Sequence, residues 1–235
     1  MKKLILVTGG NGRFAKILKE KNEKLNLKFV SKNELNILNI KSIEKNFLKY
    51  KPKIIMHCAG LSRPMNIHNK NIKKSIDLNI IGTANIVKVC EKFNIKIIYF
   101  STGYVYEGYS GNYLETDPVK PINNYGLSKL GGECSVSMYK KSLILRITMT
   151  EKPFSYNNAY GNLISNFMFH EELVKILPKL INKYGIINVG GKSQSVYNFA
   201  KKNNKNVKKI MVNKKLNLPL KQTMNLSLLK KILNN

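Results

Sequence analysis

The chain has 235 residues, 43% of them hydrophobic, and 41 Lys and Arg against 13 Asp and Glu give a formal net charge of +28. That apolar content supports a packed core and excludes wholesale disorder, and the length admits one large domain or one and a half. Its apolar runs, such as Leu4 to Val7, Ile54 to Met56 and Leu143 to Leu145, are strand-length, far below the ~20 residues of a membrane-spanning helix.

The elements follow in alternation. Lys3 to Thr8 reads as a strand, Gly12 to about Asn22 as a helix and Leu27 to Val30 as a second strand. Ile40 to Tyr50 is helical, with Pro52 just past its end, and Lys53 to His57 is a third strand. Asn71 to Phe93 reads as one long helix, with Ile76, Ile80, Ala84, Val87 and Cys90 at helical spacing. Lys96 to Phe100 and Leu143 to Ile147 are the fourth and fifth strands, with a helix beginning near Asn124 between them. Short apolar strands alternating with helices predict an α/β fold, a doubly wound parallel sheet covered on both faces. Beyond about Thr150 the rhythm breaks. A helical pattern runs through Leu173, Val174 and Leu177, then come a strand in "GIINVGG", a helix capped near Ser195 and a terminal helix in "MNLSLLKKILNN". The expected division is residues 1–150 as the doubly wound domain, and 151–235 as a short layer packed on it.

The charge has a bland reading. Lysines are scattered, and only Lys201 to Lys215 is locally dense. No basic stripe is interleaved with aromatics, so nucleic-acid binding is not expected. A solvated lysine-rich surface is the first reading, and a field that attracts anionic nucleotides the second. Cys58, Cys90 and Cys134 have no metal-ligand spacing and read as small buried thiols in a reducing compartment. No metal site is expected. "MKKLILVTGG" has too short an apolar part for a secretory leader, which points to a cytoplasmic protein with a buried first strand.

Three constellations carry chemistry. "VTGGNGRFA" places Gly9, Gly12 and Ala15 where a first strand turns into a helix. Gly9 permits the tight turn, and Gly12 lets the backbone approach a pyrophosphate at the helix N-terminus. The second strand ends without the acidic residue that would hold the ribose of NAD; Ser31, Lys32 and Arg13 suit a 2′-phosphate instead. NADP(H) is therefore favoured over NAD(H). In "HCAGLSRP", Ala59 and Gly60 allow close passage of a flat cofactor, and His57 reads as a strand residue. Beyond the fourth strand, Ser101 and Thr102 lie at the mouth of the crevice, and Tyr104 to Asn124 is a loop of lid length. Tyr125 and Lys129 in "YGLSKLGGE" then stand one helical turn apart. Gly126, Gly131 and Gly132 around them weaken a helix by roughly 0.8–1 kcal/mol each relative to alanine, which close packing would offset.

These motifs, with "DLNIIGTANIV" and "STGYVYEG", resemble the extended short-chain dehydrogenase/reductases. "STGYVYEG…YLETDPVKPINNYGLSKLGGE" is most similar to the dTDP-4-dehydrorhamnose reductases and their sugar-nucleotide-binding relatives. The resemblance implies Thr102, Tyr125 and Lys129 as catalytic residues. Lys129 would bind the nicotinamide ribose and lower the Tyr125 pKa toward neutrality, Tyr125 would protonate the carbonyl, and Thr102 would orient it. The cofactor-binding set it implies is Gly9, Gly12, Arg13, Phe14, Ser31, Lys32, Asn36, Ile37, Cys58, Ala59, Gly60, Asn79, Tyr125 and Lys129. Asn79 would support Lys129, and equally reads as a capping or packing residue.

The implied function is reduction of a keto group, at C4, of a nucleotide-linked deoxysugar. A 4-epimerase with tightly held NAD and a non-catalytic regulatory subunit are the alternatives. Gly103 stands where the reductases commonly carry Asp. Expected partners are a nucleotide-linked sugar and, for assembly, a homodimer, with no nucleic acid and no membrane.

Overall fold

The computed structural model describes residues 3–213 and 218–234. Lys214 and Lys215, the end of the dense basic stretch, lie outside the described residues, as do Met1 and Lys2. The apolar run Leu4–Thr8 forms β1, followed by α1 (Arg13–Lys21), β2 (Asn26–Phe29), α2 (Ile40–Tyr50) and β3 (Ile54–His57). Lys51, in the left-handed region at φ 47°, ends α2 just before Pro52. Two short helices come next, α3 (Ile67–Lys70) and α4 (Ile72–Ser75). The expected uniform helix from Asn71 is interrupted. A π-helical turn over Ile76–Ile81, where the Gly82 amide bonds back to the Asp77 carbonyl, separates α4 from α5 (Gly82–Lys92). Such turns insert one extra residue per turn and recur at functional sites. Periodicity alone does not reveal the insertion. β4 (Lys96–Thr102), α6 (Asn124–Ser137) and β5 (Ser142–Ile147) complete the first two thirds.

The remaining third supplies short pieces and one long return. β6 (Met149–Thr150), β7 (Asn158–Tyr160), β8 (Ile164–Ser165) and β9 (Met168–Phe169) lead into α7 (His170–Leu180), and β10 (Gly185–Val189) follows. β11 (Gln194–Ser195), α8 (Val196–Lys201), β12 (Lys208–Ile210), β13 (Lys221–Gln222) and α9 (Ser227–Asn234) end the chain. Ser195 caps α8 as expected, accepting from the Asn198 amide at 3.1 Å.

The main sheet has the order β10-β5-β4-β3-β1-β2, with every pairing parallel. This is the doubly wound sheet the alternation predicted. The "GIINVGG" strand enters this sheet beside β5 and does not stay in the appended layer. One face buries Val7, Phe14, Leu18, Met56 and Leu145 under helices that include α7. The other buries Leu6, Ile43, Phe47, Ile55, Ile86 and Tyr99. Alternate side chains of one strand, Leu6 and Val7, go to opposite faces, which is why these strands are apolar throughout. A smaller core of Phe154, Leu163, Phe169, Val196 and Phe199 belongs to the last third. Chain order reverses between β1 and β3, and the crevice at their carboxyl ends is the place for a ligand.

Candidate active site

The glycine turn is built as its spacing predicts. Gly9 has φ 65°, and a Cβ there would meet the Ala59 backbone at 2.8 Å. Gly12 is the N-cap of α1, and its amide bonds back to the Gly9 carbonyl at 2.8 Å. No side chain caps α1 and no acid stands in its first turn. Its first N–H groups and dipole are therefore open to an anion. Phe14 points into the core, 5.2 Å from the Phe100 ring and 5.5 Å from His170. Only its backbone faces the turn.

Arg13 departs from the expected 2′-phosphate cluster. Its guanidinium reaches Ser62 Oγ at 3.2 Å and Glu151 at 3.0 Å, rather than Ser31 and Lys32. Ser31 is engaged with Glu34, whose carboxylate accepts from the Ser31 amide at 2.8 Å. That bond holds the Glu34 carboxyl below its usual range. Glu34 is thus an acid close to the end of β2 that the sequence reading passed over, tied to backbone. Asn36 also turns inward on its own loop, its Oδ1 accepting from the Leu38 amide at 3.0 Å. Ile37 is buried against Gly82, where a Cβ would stand 2.5 Å from its Cδ1.

At the end of β3, the Ala59 amide donates to Thr8 Oγ1 at 3.2 Å. His57 is fully enclosed between Thr8 Oγ1 at 2.9 Å and Thr83 Oγ1 at 3.2 Å. Burial, with Lys129 nearby, pushes its pKa down to about 3, so it is a neutral structural residue. Burial pushes the Cys58 thiol up, leaving it inert. Cys134, by contrast with the expected buried thiols, is exposed on α6. Asn79 lies in the π-helical turn with its carboxamide committed. It accepts from the Leu61 amide at 2.7 Å, donates to the Leu61 carbonyl at 2.8 Å and donates to Ser128 Oγ at 2.9 Å. It clamps the β3 loop to α6, one residue away from Lys129.

Asn123 caps α6 through the Gly126 amide at 2.8 Å, which sets Tyr125 in the first turn. Thr102, at the end of β4, accepts from the Tyr104 amide at 3.2 Å, and its hydroxyl lies near enough to the Tyr125 phenol to favour the phenolate. The phenol ring lies between His68 and Tyr104, at 5.1 and 5.9 Å. The expected lowering of its pKa is not what the structure shows. Burial raises the phenol; the Thr102 hydroxyl and then Arg63 and Arg13 pull the other way without prevailing. Lys129 is not the cation acting on it. The Lys129 ammonium lies 4.1 Å from the centre of the Tyr99 ring, and burial brings its pKa down to about 7 against the pull of Glu133.

Behind this trio runs a buried network that the motifs did not announce. Glu133 accepts from Ser101 Oγ and from Arg146 Nη2 at 2.7 Å. Arg146 Nη1 donates to the Tyr106 hydroxyl at 2.8 Å, and Tyr106 donates to Asn188 Oδ1 at 2.9 Å. The network joins β4, α6, β5, the 104–124 loop and β10. The available signal was a lone arginine inside the apolar run "LILRI". Gly103 is closely covered. A Cβ there would stand 3.0 Å from Thr148 Oγ1 and 3.3 Å from Met224 Sδ, so the C-terminal segment fills the space an acidic side chain would need.

The comparisons agree with this architecture. The family model described as RmlD substrate binding domain matches residues 1–175. A dTDP-4-dehydrorhamnose reductase from Aggregatibacter actinomycetemcomitans is 29% identical over 159 residues, 65% of this chain and 53% of that protein. Methionine adenosyltransferase 2 subunit beta from Xenopus laevis is 34% identical over 102 residues, 43% of this chain and 30% of that protein. The chain thus spans about half of the reductase relative's length and about a third of the other's. The crystal structure of dTDP-4-dehydrorhamnose reductase from Bacillus anthracis in complex with NADP superposes with a TM-score of 0.87 at 25% identity, covering 100% of this chain and 94% of that one. A UDP-glucose 4-epimerase from Thermus thermophilus, at 18% identity and TM-score 0.71 over 84% of this chain and 81% of that one, shares the fold. By sequence and by architecture, the chain belongs to the RmlD substrate binding domain family.

Proposed function

We propose that this chain is an NAD(P)H-dependent reductase acting on a keto group, at C4, of a nucleotide-linked deoxysugar. The observation that carries this reading is the placement of the Thr102 hydroxyl beside the Tyr125 phenol at the mouth of the parallel sheet, with Lys129 one turn further along α6. The Bacillus anthracis relative, a reductase crystallised with NADP, supports it.

The glycine turn fits a dinucleotide, because the Gly9 cradle has no room for a Cβ and no acid stands in the first turn of α1. Bound there, the nicotinamide supplies the hydride. The chain's own residues do the rest. Thr102 and Tyr125 converge on one carbonyl oxygen. The raised phenol pKa keeps Tyr125 protonated and able to donate as the oxygen gains charge. Lys129, whose ammonium lies against the Tyr99 ring, would hold the ribose hydroxyls at the end of its four-carbon stem. Gly9, Gly12, the backbone of Phe14 and the Cys58–Gly60 edge would line the cofactor, and Ser31 and Lys32 would hold its adenosine end. The described residues of the last third that lie outside β10 would close the sugar side, and exposed Ile72, Ile76 and Ile81 offer an apolar surface for a homodimer.

The test is an absorbance assay with NADPH and a dTDP-4-keto-6-deoxyhexose, repeated with Tyr125→Phe. Substrate-dependent oxidation is expected, and its survival in Tyr125→Phe overturns the mechanism. Binding of NADPH without oxidation of any such sugar would mark a binding subunit, and a cofactor that survives purification an epimerase.

A further inference from the structure

The cleft mouth carries an ion cluster that the reading above leaves without a task. Glu151, directly after β6, sets one carboxylate oxygen 3.0 Å from Arg13 Nη1 and the other 2.7 Å from Arg63 Nη1. Arg63 also donates to Thr150 Oγ1 at 3.2 Å. Arg13 opens α1 beside the glycine turn, and Arg63 belongs to the loop after β3. One acid from the C-terminal third thus binds both walls of the crevice. His170 is buried behind it, and its Nδ1 has no hydrogen-bond partner among the described residues.

We propose that Glu151 is a built-in anion that holds Arg13 and Arg63 at the mouth of the glycine turn, and that a diphosphate ester entering the cleft takes its place on the arginines. A guanidinium fork recognises phosphate with the same paired geometry as carboxylate. Two cations against one acid leave the cluster positive, and the first turn of α1 adds open N–H groups. The acid is displaceable, because the pair is partly solvated, with 24% of the Glu151 side chain and 48% of the Arg13 side chain exposed. Ion pairs with that much water contact contribute little net stability. Burial alone would raise the Glu151 carboxyl, but its own backbone amide, Arg63 and Arg13 outweigh this, and it is charged at neutral pH. While Glu151 is in place it ties the two arginines together across the cleft mouth; when a diphosphate replaces it, that link is broken and the arginines hold the ligand instead.

The inference rests on the cofactor reading for one of two diphosphate sources, the dinucleotide, while the other is the sugar nucleotide. Dissociation constants for NADPH and for dTDP are to be measured by titration calorimetry on the folded protein, as wild type, Glu151→Gln, Glu151→Asp and Glu171→Gln. The Gln variant keeps the shape and loses the charge, and is expected to tighten the displacing ligand about threefold to tenfold. The shorter Asp falls between the two. Glu171→Gln, an equal charge change nearby, stays within about twofold of wild type. Tightening of NADPH alone assigns the exchange to the dinucleotide, and tightening of dTDP alone to the sugar nucleotide. Unchanged or weaker binding of both in Glu151→Gln, or an equal gain in Glu171→Gln, overturns the exchange. Wild type that binds dTDP but not NADPH removes the cofactor reading instead, and the dTDP arm still decides the exchange; wild type that binds neither overturns both.

Discussion

Arg146 places two nitrogens on one oxygen of Glu133, Nη2 at 2.7 Å and Nε at 3.0 Å, with both side chains sealed from water. The other Glu133 oxygen accepts from Ser101, and Arg146 Nη1 also donates to the Glu115 carbonyl at 3.0 Å. The carboxylate and the guanidinium are therefore satisfied together. Removing one partner strands the other charge. Glu133→Gln is expected to destabilise the fold by about 3 kcal/mol or more, and the Glu133→Gln/Arg146→Met pair by less than the sum of its single changes. Urea unfolding of the four proteins measures this, and additive effects would show that the pair is not a unit.

The Thr102 hydroxyl lies beside the Tyr125 phenol and favours its ionised form. Thr102→Val keeps the shape and removes the hydroxyl. Turnover is expected to fall about 10²-fold, in the range for loss of one oxyanion donor, while Thr102→Ser keeps most of it. NADPH binding should be unaffected by either. Steady-state kcat with a fluorescence-measured cofactor Kd separates the two effects. Loss of cofactor binding in Thr102→Val would mean that Thr102 shapes the pocket rather than serving the carbonyl.

Lys129 sets a pH dependence whose sign follows from burial. Its pKa in the folded chain is about 7 against an ordinary 10.5. Between these values the unfolded chain binds a proton that the folded one does not, so stability rises with pH. This contribution is complete above about 10.5 and lost as pH falls through 7. Lys96, lowered to about 8 chiefly by burial, acts in the same direction over a narrower window. Lys129→Met is expected to flatten the rise in unfolding free energy from pH 7 to pH 9.5, leaving the smaller Lys96 part. An unchanged slope would place the ammonium in water.

What could be read beforehand was local or periodic. Leu4 to Val7 and Leu143 to Leu145 are buried on both faces and so are apolar at every position. Gly9 and Gly12 act within one turn, and Tyr125 and Lys129 within one helical turn, so spacing suffices to find them. The direction of Arg13 was not readable, because Glu151 lies 138 positions away and draws it off the adenosine end. The cations facing Tyr125 were misassigned for a similar reason. Lys129 is nearest in sequence, but the Tyr99 ring on β4 holds its ammonium, while Arg63 and Arg13 come from distant loops. Asn79 looked like a support for Lys129. The β3 loop, which only the fold brings beside it, takes its carboxamide, the packing role that the sequence equally allowed.

Helix propensity and packing make opposite predictions at Gly132. On propensity, Gly132→Ala should stabilise α6 by about 1 kcal/mol. A Cβ there, however, would lie 2.4 Å from the Asn79 carbonyl oxygen and 2.6 Å from the Tyr99 hydroxyl. The carbonyl is backbone of the π-helical turn and accepts from Thr83 at 2.8 Å, so it cannot yield without breaking that bond. The hydroxyl donates to the Lys129 carbonyl at 3.0 Å and ties β4 to α6. Overpacking of this kind costs about 1–3 kcal/mol, which exceeds the propensity gain. Gly132→Ala is therefore expected to lower the unfolding midpoint, and its displacement of Tyr99 should move Lys129 and weaken NADPH binding. At Gly131 the atoms within reach are the Ile80 side chain at 2.8 Å, which can rotate. Gly131→Ala should cost less than Gly132→Ala. Equal melting temperatures for both variants and wild type would show that α6 stands off from the π-helical turn in solution.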